Sequence, residues 1–187
     1  MKTPTKRILI ALTSHDKKGS TGQPTGAYVP EVAHPHAVFV AAGYEVDLAS
    51  TRGGRVPLDG VERSDAIVAA FLDDPELARE LRESTASSSV DAARYDAIFF
   101  AGGHGAMWDF PDATAFSDAA RRIYEAGGVV GAVCHGPAAL VNLRLSDGKL
   151  LIAGKKVSAF TDDEERAVKL DRVVPFLLQS RLQELGA

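Results

Sequence analysis

The chain has 187 residues, 45% of them hydrophobic and 25% charged, the composition of a soluble globular protein with enough length for one substantial core. A net charge of −4, with Lys and Arg scattered rather than striped, argues against nucleic acid or an acidic membrane as partner. The single cysteine, Cys134, excludes an internal disulfide and every multi-cysteine zinc or iron–sulfur motif.

In chain order, "RILIALT" (7–13) predicts a strand. Its apolar run from Ile8 to Thr13 is too short to span a bilayer and no signal peptide precedes it, so the expected setting is cytoplasmic. The Gly- and Pro-rich stretch that follows predicts a long loop over a surface crevice. Glu31 to Ala42 predicts a helix, with Pro30 near its first turn and Gly43 as its stop. "YEVDLAS" (44–50) reads as a second strand, and "TRGGRVPLDG" as a turn region. Ile67, Phe71, Leu77 and Leu81 recur at helical spacing, and Asp74-Pro75 divides them into two short helices. "STASSSV" (84–90) is a polar connector, too short to mark a domain boundary. "YDAIFFAGG" (95–103) is an apolar strand that runs into glycines, 112–128 is a helix with a Gly stop, and "VVGAV" (129–133) is a strand ending at Cys134. "PAALVNLRL" (137–145) predicts a helix, "KLLIAGKKVSAFT" (149–161) two short strand-like pieces, and 163–187 helix at both ends around Pro175.

Strands alternating with helices predict an α/β domain with a mostly parallel sheet covered on both faces. Sites in such folds form at the carboxyl ends of strands. The glycine-rich strand ends near 14–26, 101–105 and 131–136 should therefore converge.

Three places carry candidate chemistry. "GAVCHGPAAL" (131–140) puts Cys134 on a tight strand-to-helix turn, where backbone N–H groups and a helix N-terminus would favour a thiolate; the alternative is an inert core thiol with His135 as a helix cap. "FFAGGHGAMWDF" (99–110) puts Gly102 and Gly103 where a backbone N–H can approach an oxyanion, with His104, Trp108 and Phe110 as possible pocket walls. It lacks the phosphate-loop and dinucleotide fingerprints. Glu31 opens a helix, where an acid is commonly a dipole partner, but beside a cysteine it could shuttle protons. "TDDEE" (161–165) offers an orienting carboxylate for His135. His15, His34, His36 and His104 show no characteristic ligand spacing, and no metal is expected.

These residues identify a resemblance. "TGAYVPEVAHPHAVFVAAGYEVDLASTRGG" (25–54), "YDAIFFAGGHGAMWDFPD" (95–112), "GGVVGAVCHGPAALVN" (127–142) and "GKKVSAFTDDEE" (154–165) resemble the ThiJ/PfpI superfamily, related to class I glutamine amidotransferases. Within it the chain is most similar to the glutathione-independent glyoxalase III branch, whose members are also heat-shock holding chaperones. The resemblance implies one ThiJ/PfpI-type domain over 1–187 with a flavodoxin-like three-layer sandwich. It places the nucleophile on Cys134, the histidine on His135, a sulfur-contacting glutamate on Glu31 and backbone oxyanion donors on Gly103 and His135. The third triad acid falls on Glu165, with Asp162 and Glu164 as alternatives. Relatives continue past 187 into a strand pair and a final helix, so those elements are expected to be missing here.

The activity implied is conversion of a small 2-oxoaldehyde such as methylglyoxal to lactate through a cysteine hemithioacetal, without metal, nicotinamide or glutathione. The implied assembly is a homodimer. Two alternatives stay open: a stress-response holding chaperone for unfolded proteins, or deglycase, with a redox-sensitive cysteine, and a cysteine-dependent hydrolase or hydratase of another electrophile.

Overall fold

A computed structural model describes residues 6–187. Four strands make up most of a five-stranded parallel sheet: β1 (Arg7–Leu12), β3 (Glu45–Ser50), β6 (Ala97–Phe100) and, at one edge, β7 (Val129–Ala132). β5 (Thr85–Ala86) adds a two-residue edge, giving the order β5-β3-β1-β6-β7. β1 lies at the centre, paired to β3 from Arg7↔Glu45 and to β6 from Ile8↔Ala97. Leu9 through Leu12 are wholly buried, as a strand covered on both faces requires.

Helices α1 (Pro30–Ala41), α2 (Ala66–Asp73) and α3 (Pro75–Arg82) cover one face over Ile10, Leu12, Leu48 and Phe71. Asp65 caps α2 by accepting from the Ile67 and Val68 N–H groups at 2.8 and 3.1 Å. Asp74 caps α3 in the same way, with Pro75 at its first position, so the Asp-Pro pair ends one helix and starts the next. The other face carries α4 (Ala106–Asp109), α5 (Thr114–Glu125), α6 (Asp162–Ala167) and α7 (Leu178–Glu184). Leu9, Ile98, Phe100, Phe116, Ile123 and Leu178 join the core on that side. A small parallel pair, β2 (Ala27–Tyr28) with β4 (Leu58–Asp59), lies outside the main sheet.

Chain order reverses at β1, because its neighbours are reached through crossovers on opposite faces. The segments after β1, β3, β6 and β7 meet at this carboxyl edge, the place where α/β folds open a crevice. Asp109 ties three of them together: it accepts from Thr13 Oγ1 and the Ser14 N–H at 2.8 Å and from Thr51 Oγ1 at 2.6 Å.

Two expectations are corrected. The helix expected over 137–145 is a five-residue 3-10 turn, Gly136–Leu140, wholly buried. The strand-like pieces expected over 149–161 are not strands. Residues 151–154 are turns, with Lys155 N–H bonded back to the Ile152 carbonyl. Residues 156–160 run irregularly, because among their N–H groups only that of Phe160 meets a backbone acceptor, the Cys134 carbonyl at 2.8 Å. The connector at 84–90 contains β5. No described helix is long and apolar enough to cross a membrane.

Candidate active site

The apolar β7 drives the chain to Cys134, whose φ is +56°. Among the described residues only Lys169 shares a positive φ without being glycine. A left-handed β-carbon-bearing residue costs about 1–3 kcal/mol, and the neighbouring contacts over-determine it. Gly136 N–H bonds the Val133 carbonyl at 2.7 Å, and a side chain at Gly136 would collide with the Phe100 carbonyl. The bend turns the half-buried sulfur toward a cavity of about 380 Å³ that opens to solvent and is lined by Glu31, Cys134, Ser158, Phe160 and Glu164.

His135 is fully buried beside it. Its Nδ1 lies 3.3 Å from Cys134 Sγ, and its Nε2 lies 2.8 Å from Glu165 Oε2. The three candidate carboxylates at the start of α6 separate by their partners. Glu164 closes a capping box with Thr161, Asp162 accepts from the Ser180 N–H and hydroxyl, and Glu165 alone turns inward. Its second oxygen, Oε1, faces His104 Nε2 at 3.0 Å. Burial works to raise the Glu165 pKa, but the hydrogen bonds from His104 and His135 outweigh it and hold the group at about 2. Burial pushes the His135 pKa down, against the pull of Glu165.

Glu31 comes in from the first turn of α1. Burial raises its pKa, opposed by hydrogen bonds to Cys134 and the Gly102 N–H. Its Oε2 is buried with no hydrogen-bond partner, a position that penalises the anion. Burial and the nearby Glu31 charge push the Cys134 thiol up to about 12, while the Gly103 and His135 N–H groups pull the other way. This corrects the expected resting thiolate. The helix N-terminus expected beneath the sulfur is only a 3-10 turn, and the carboxyl beside it works against a second negative charge. The sulfur and Glu31 therefore titrate as one coupled unit.

The other expected residues distribute as follows. Gly102 lies against both Glu31 and Cys134, and a β-carbon there would collide with Glu31 Oε2. Gly103 has φ +100°, and its N–H is one of the groups that pull the Cys134 pKa down. His104 does not wall the cavity; it sits behind His135, ring centroids 4.1 Å apart. Trp108 is corrected too: it stacks on His15 at 5.1 Å beneath the loop at Gly19. Phe110 is core. His34 pairs with Asp65 at 2.7 Å and His36 packs on Phe71, so the four histidines weighed for a metal do not assemble. Ligand atoms of His104, His135 and Glu165 do lie within 4.8 Å of one another, but both Nε2 atoms already hold the carboxylate, and an ion there would have to displace those bonds. Phe160, 4.4 Å from the His135 ring, escaped the sequence reading because nothing local marks it.

The DJ-1/PfpI family pattern matches residues 26–172. The chain belongs to the DJ-1/PfpI family. The matched span holds Glu31, Gly103, Cys134, His135 and Glu165. Glyoxalase 3 of Candida albicans is 38% identical over 164 residues, covering 83% of this chain and 69% of that protein. The glutathione-independent glyoxalase HSP31 of Saccharomyces cerevisiae is 35% identical, covering 90% and 74%. Among solved structures, the 24 kDa rapid encystment protein of Francisella tularensis superposes with a TM-score of 0.95 at 39% identity, covering 98% of this chain and 82% of that one. Glyoxalase III of Candida albicans gives 0.85 at 33%, covering 97% and 81%. These DJ-1/PfpI relatives share the flavodoxin-like sandwich expected from the motifs.

Proposed function

We propose that the protein is a glutathione-independent glyoxalase, a lyase that converts methylglyoxal and water to lactate without a cofactor. The observation that carries this reading is a sulfur on a strained elbow with an imidazole nitrogen 3.3 Å away and, lining the same cavity, a carboxyl with one buried, unpartnered oxygen. The names of the relatives support it.

In the resting site Glu31 is protonated and Cys134 is a thiol. His135 Nδ1 takes the thiol proton as the sulfur bonds to the aldehyde carbon, and Glu31 protonates the resulting alkoxide, giving a hemithioacetal. The N–H groups of Gly103 and His135 stabilise the developing charge. Glu31, now a carboxylate, removes the proton on that carbon while His135 protonates the neighbouring carbonyl oxygen, giving an enediol. Glu31 then returns its proton to the second carbon, His135 accepts the hydroxyl proton of the first, and a thioester remains. Water attacks it, giving one proton to Glu31. The departing sulfur takes the proton that His135 took from the hydroxyl, and the product leaves as lactic acid, which ionises to lactate in water.

Purified protein, treated with a chelator and free of glutathione, should form lactate from methylglyoxal, and Cys134→Ser should abolish it. Absence of turnover in the wild type, or full activity in the variant, defeats the reading. Because the cavity opens to solvent, a peptide substrate belongs in the same assay, and cleavage of it alone would favour the hydrolase reading.

One feature favours a second role. At the opposite end of the sheet, an apolar groove of about 220 Å³ is lined by Ile8, Phe39, Phe99 and Val129, with Val38 and Val40 exposed nearby. A holding chaperone uses such a surface, and suppression of aggregation of an unfolded client by Cys134→Ser protein tests it.

A further inference from the structure

Glu165 is 2% exposed yet accepts hydrogen bonds on both oxygens, from His135 at 2.8 Å and from His104 at 3.0 Å. An ionised carboxylate can only accept, so each ring presents its N–H at Nε2. For a neutral His135 this leaves Nδ1 bare, facing the thiol at 3.3 Å. We infer that His104 is a positioning residue for Cys134 chemistry: by donating to Glu165 Oε1 it holds the carboxylate in the orientation that fixes the His135 tautomer. The inference rests on the reading of Cys134 as nucleophile and His135 as its base.

The surroundings leave His104 little freedom. Its carbonyl accepts the Met107 N–H at 3.0 Å in the turn entering α4. Its ring lies 4.1 Å from that of His135 and 5.8 Å from Phe160, which packs against both. Without the Nε2–H of His104, Glu165 Oε1 would be buried with no donor, a state a carboxylate relieves by rotating or taking up a proton. Either response withdraws the acceptor that orders His135, and the sulfur then faces an N–H instead of a lone pair. His104 is not among the residues lining the cavity, so it acts through Glu165 and does not touch substrate.

The test is nitrogen-15 NMR of the His135 ring, run beside methylglyoxal kinetics, in wild type, His104→Gln and His104→Leu. Wild type should show a protonated Nε2 and a bare Nδ1. His104→Leu should show mixed tautomers and a kcat lower by about 10- to 100-fold, as for lost partners of ordered histidines, with KM within about threefold. His104→Gln, whose amide N–H can reach Oε1, should recover the tautomer and most of kcat. A protonated Nδ1 in wild type, or an unaltered tautomer and kcat in His104→Leu, overturns the inference. If His104→Leu does not fold, the wild-type tautomer and the Gln variant decide it. If the tautomer shifts as stated but wild type forms no lactate, the glyoxalase reading fails and the positioning role stands.

Discussion

Two glutamates, Glu165 buried and Glu31 half-buried, flank one cysteine turn and are driven in opposite directions. Glu165 is the more deeply buried, yet two imidazole N–H groups hold its pKa at about 2. Glu31 is raised by burial, with one oxygen unpartnered. Burial alone would raise both. The difference lies in the donors the fold delivers, and it assigns one carboxyl to orient a histidine and leaves the other free to carry a proton.

The strongest way to break this comparison is Glu31→Gln, which keeps the shape and removes the mobile proton. It should lower kcat for methylglyoxal by about 10²- to 10⁴-fold, measured by lactate formation. Glu165→Gln offers one acceptor oxygen to two N–H donors. It should cost about 1–3 kcal/mol of stability in denaturant titration and about 10- to 100-fold in kcat. Gly102→Ala puts a β-carbon into Glu31 Oε2 and 2.8 Å from Cys134 Cβ. That crowding should lower kcat about tenfold and stability by about 1–3 kcal/mol.

The pH dependence of stability sharpens the contrast, because the two signs oppose. Glu165 binds fewer protons folded than unfolded between about 2 and the ordinary 4.5. Its contribution is present above 4.5 and is lost as pH falls toward 2. Glu31 has a raised folded pKa, so its contribution is present below 4.5 and is lost as pH rises through the folded value. Thermal melts should therefore show a flatter acid limb in Glu165→Gln, and a smaller loss on raising pH above 4.5 in Glu31→Gln. The smallest effect belongs to Trp108→Phe: stacked on His15 outside the cavity, it should leave kcat within about twofold.

Much of the frame is legible in the residues themselves. β1, β6 and β7 are apolar runs, Pro30 and Gly43 bracket α1, and Asp74-Pro75 divides α2 from α3. The turn at Gly136–Leu140 is not legible, because a segment buried on all sides has apolar residues at every position and no period to separate a 3-10 turn from a helix. Leu150 to Ile152 read as strand by composition, but Leu150 makes only one isolated antiparallel bridge, to Arg144, and Leu151 and Ile152 are buried by turns packed on the core, so no ladder forms. In the site, Cys134 and His135 announce themselves by their place at a strand end. The choice among Asp162, Glu164 and Glu165 was decidable in principle: Thr161 and Glu164 have capping-box spacing, which commits Glu164 to the helix end. The link from His104 to Glu165 spans 61 positions and exists only once α4 and α6 are packed. The proton balance between Cys134 and Glu31 is equally a product of their meeting.

Infrared difference spectroscopy at neutral pH, between wild type and each glutamate variant, tests the contrast most directly. The account predicts a protonated-carboxyl band in wild type that disappears in Glu31→Gln and persists in Glu165→Gln. A band lost with Glu165→Gln instead, or none lost with Glu31→Gln, would contradict it.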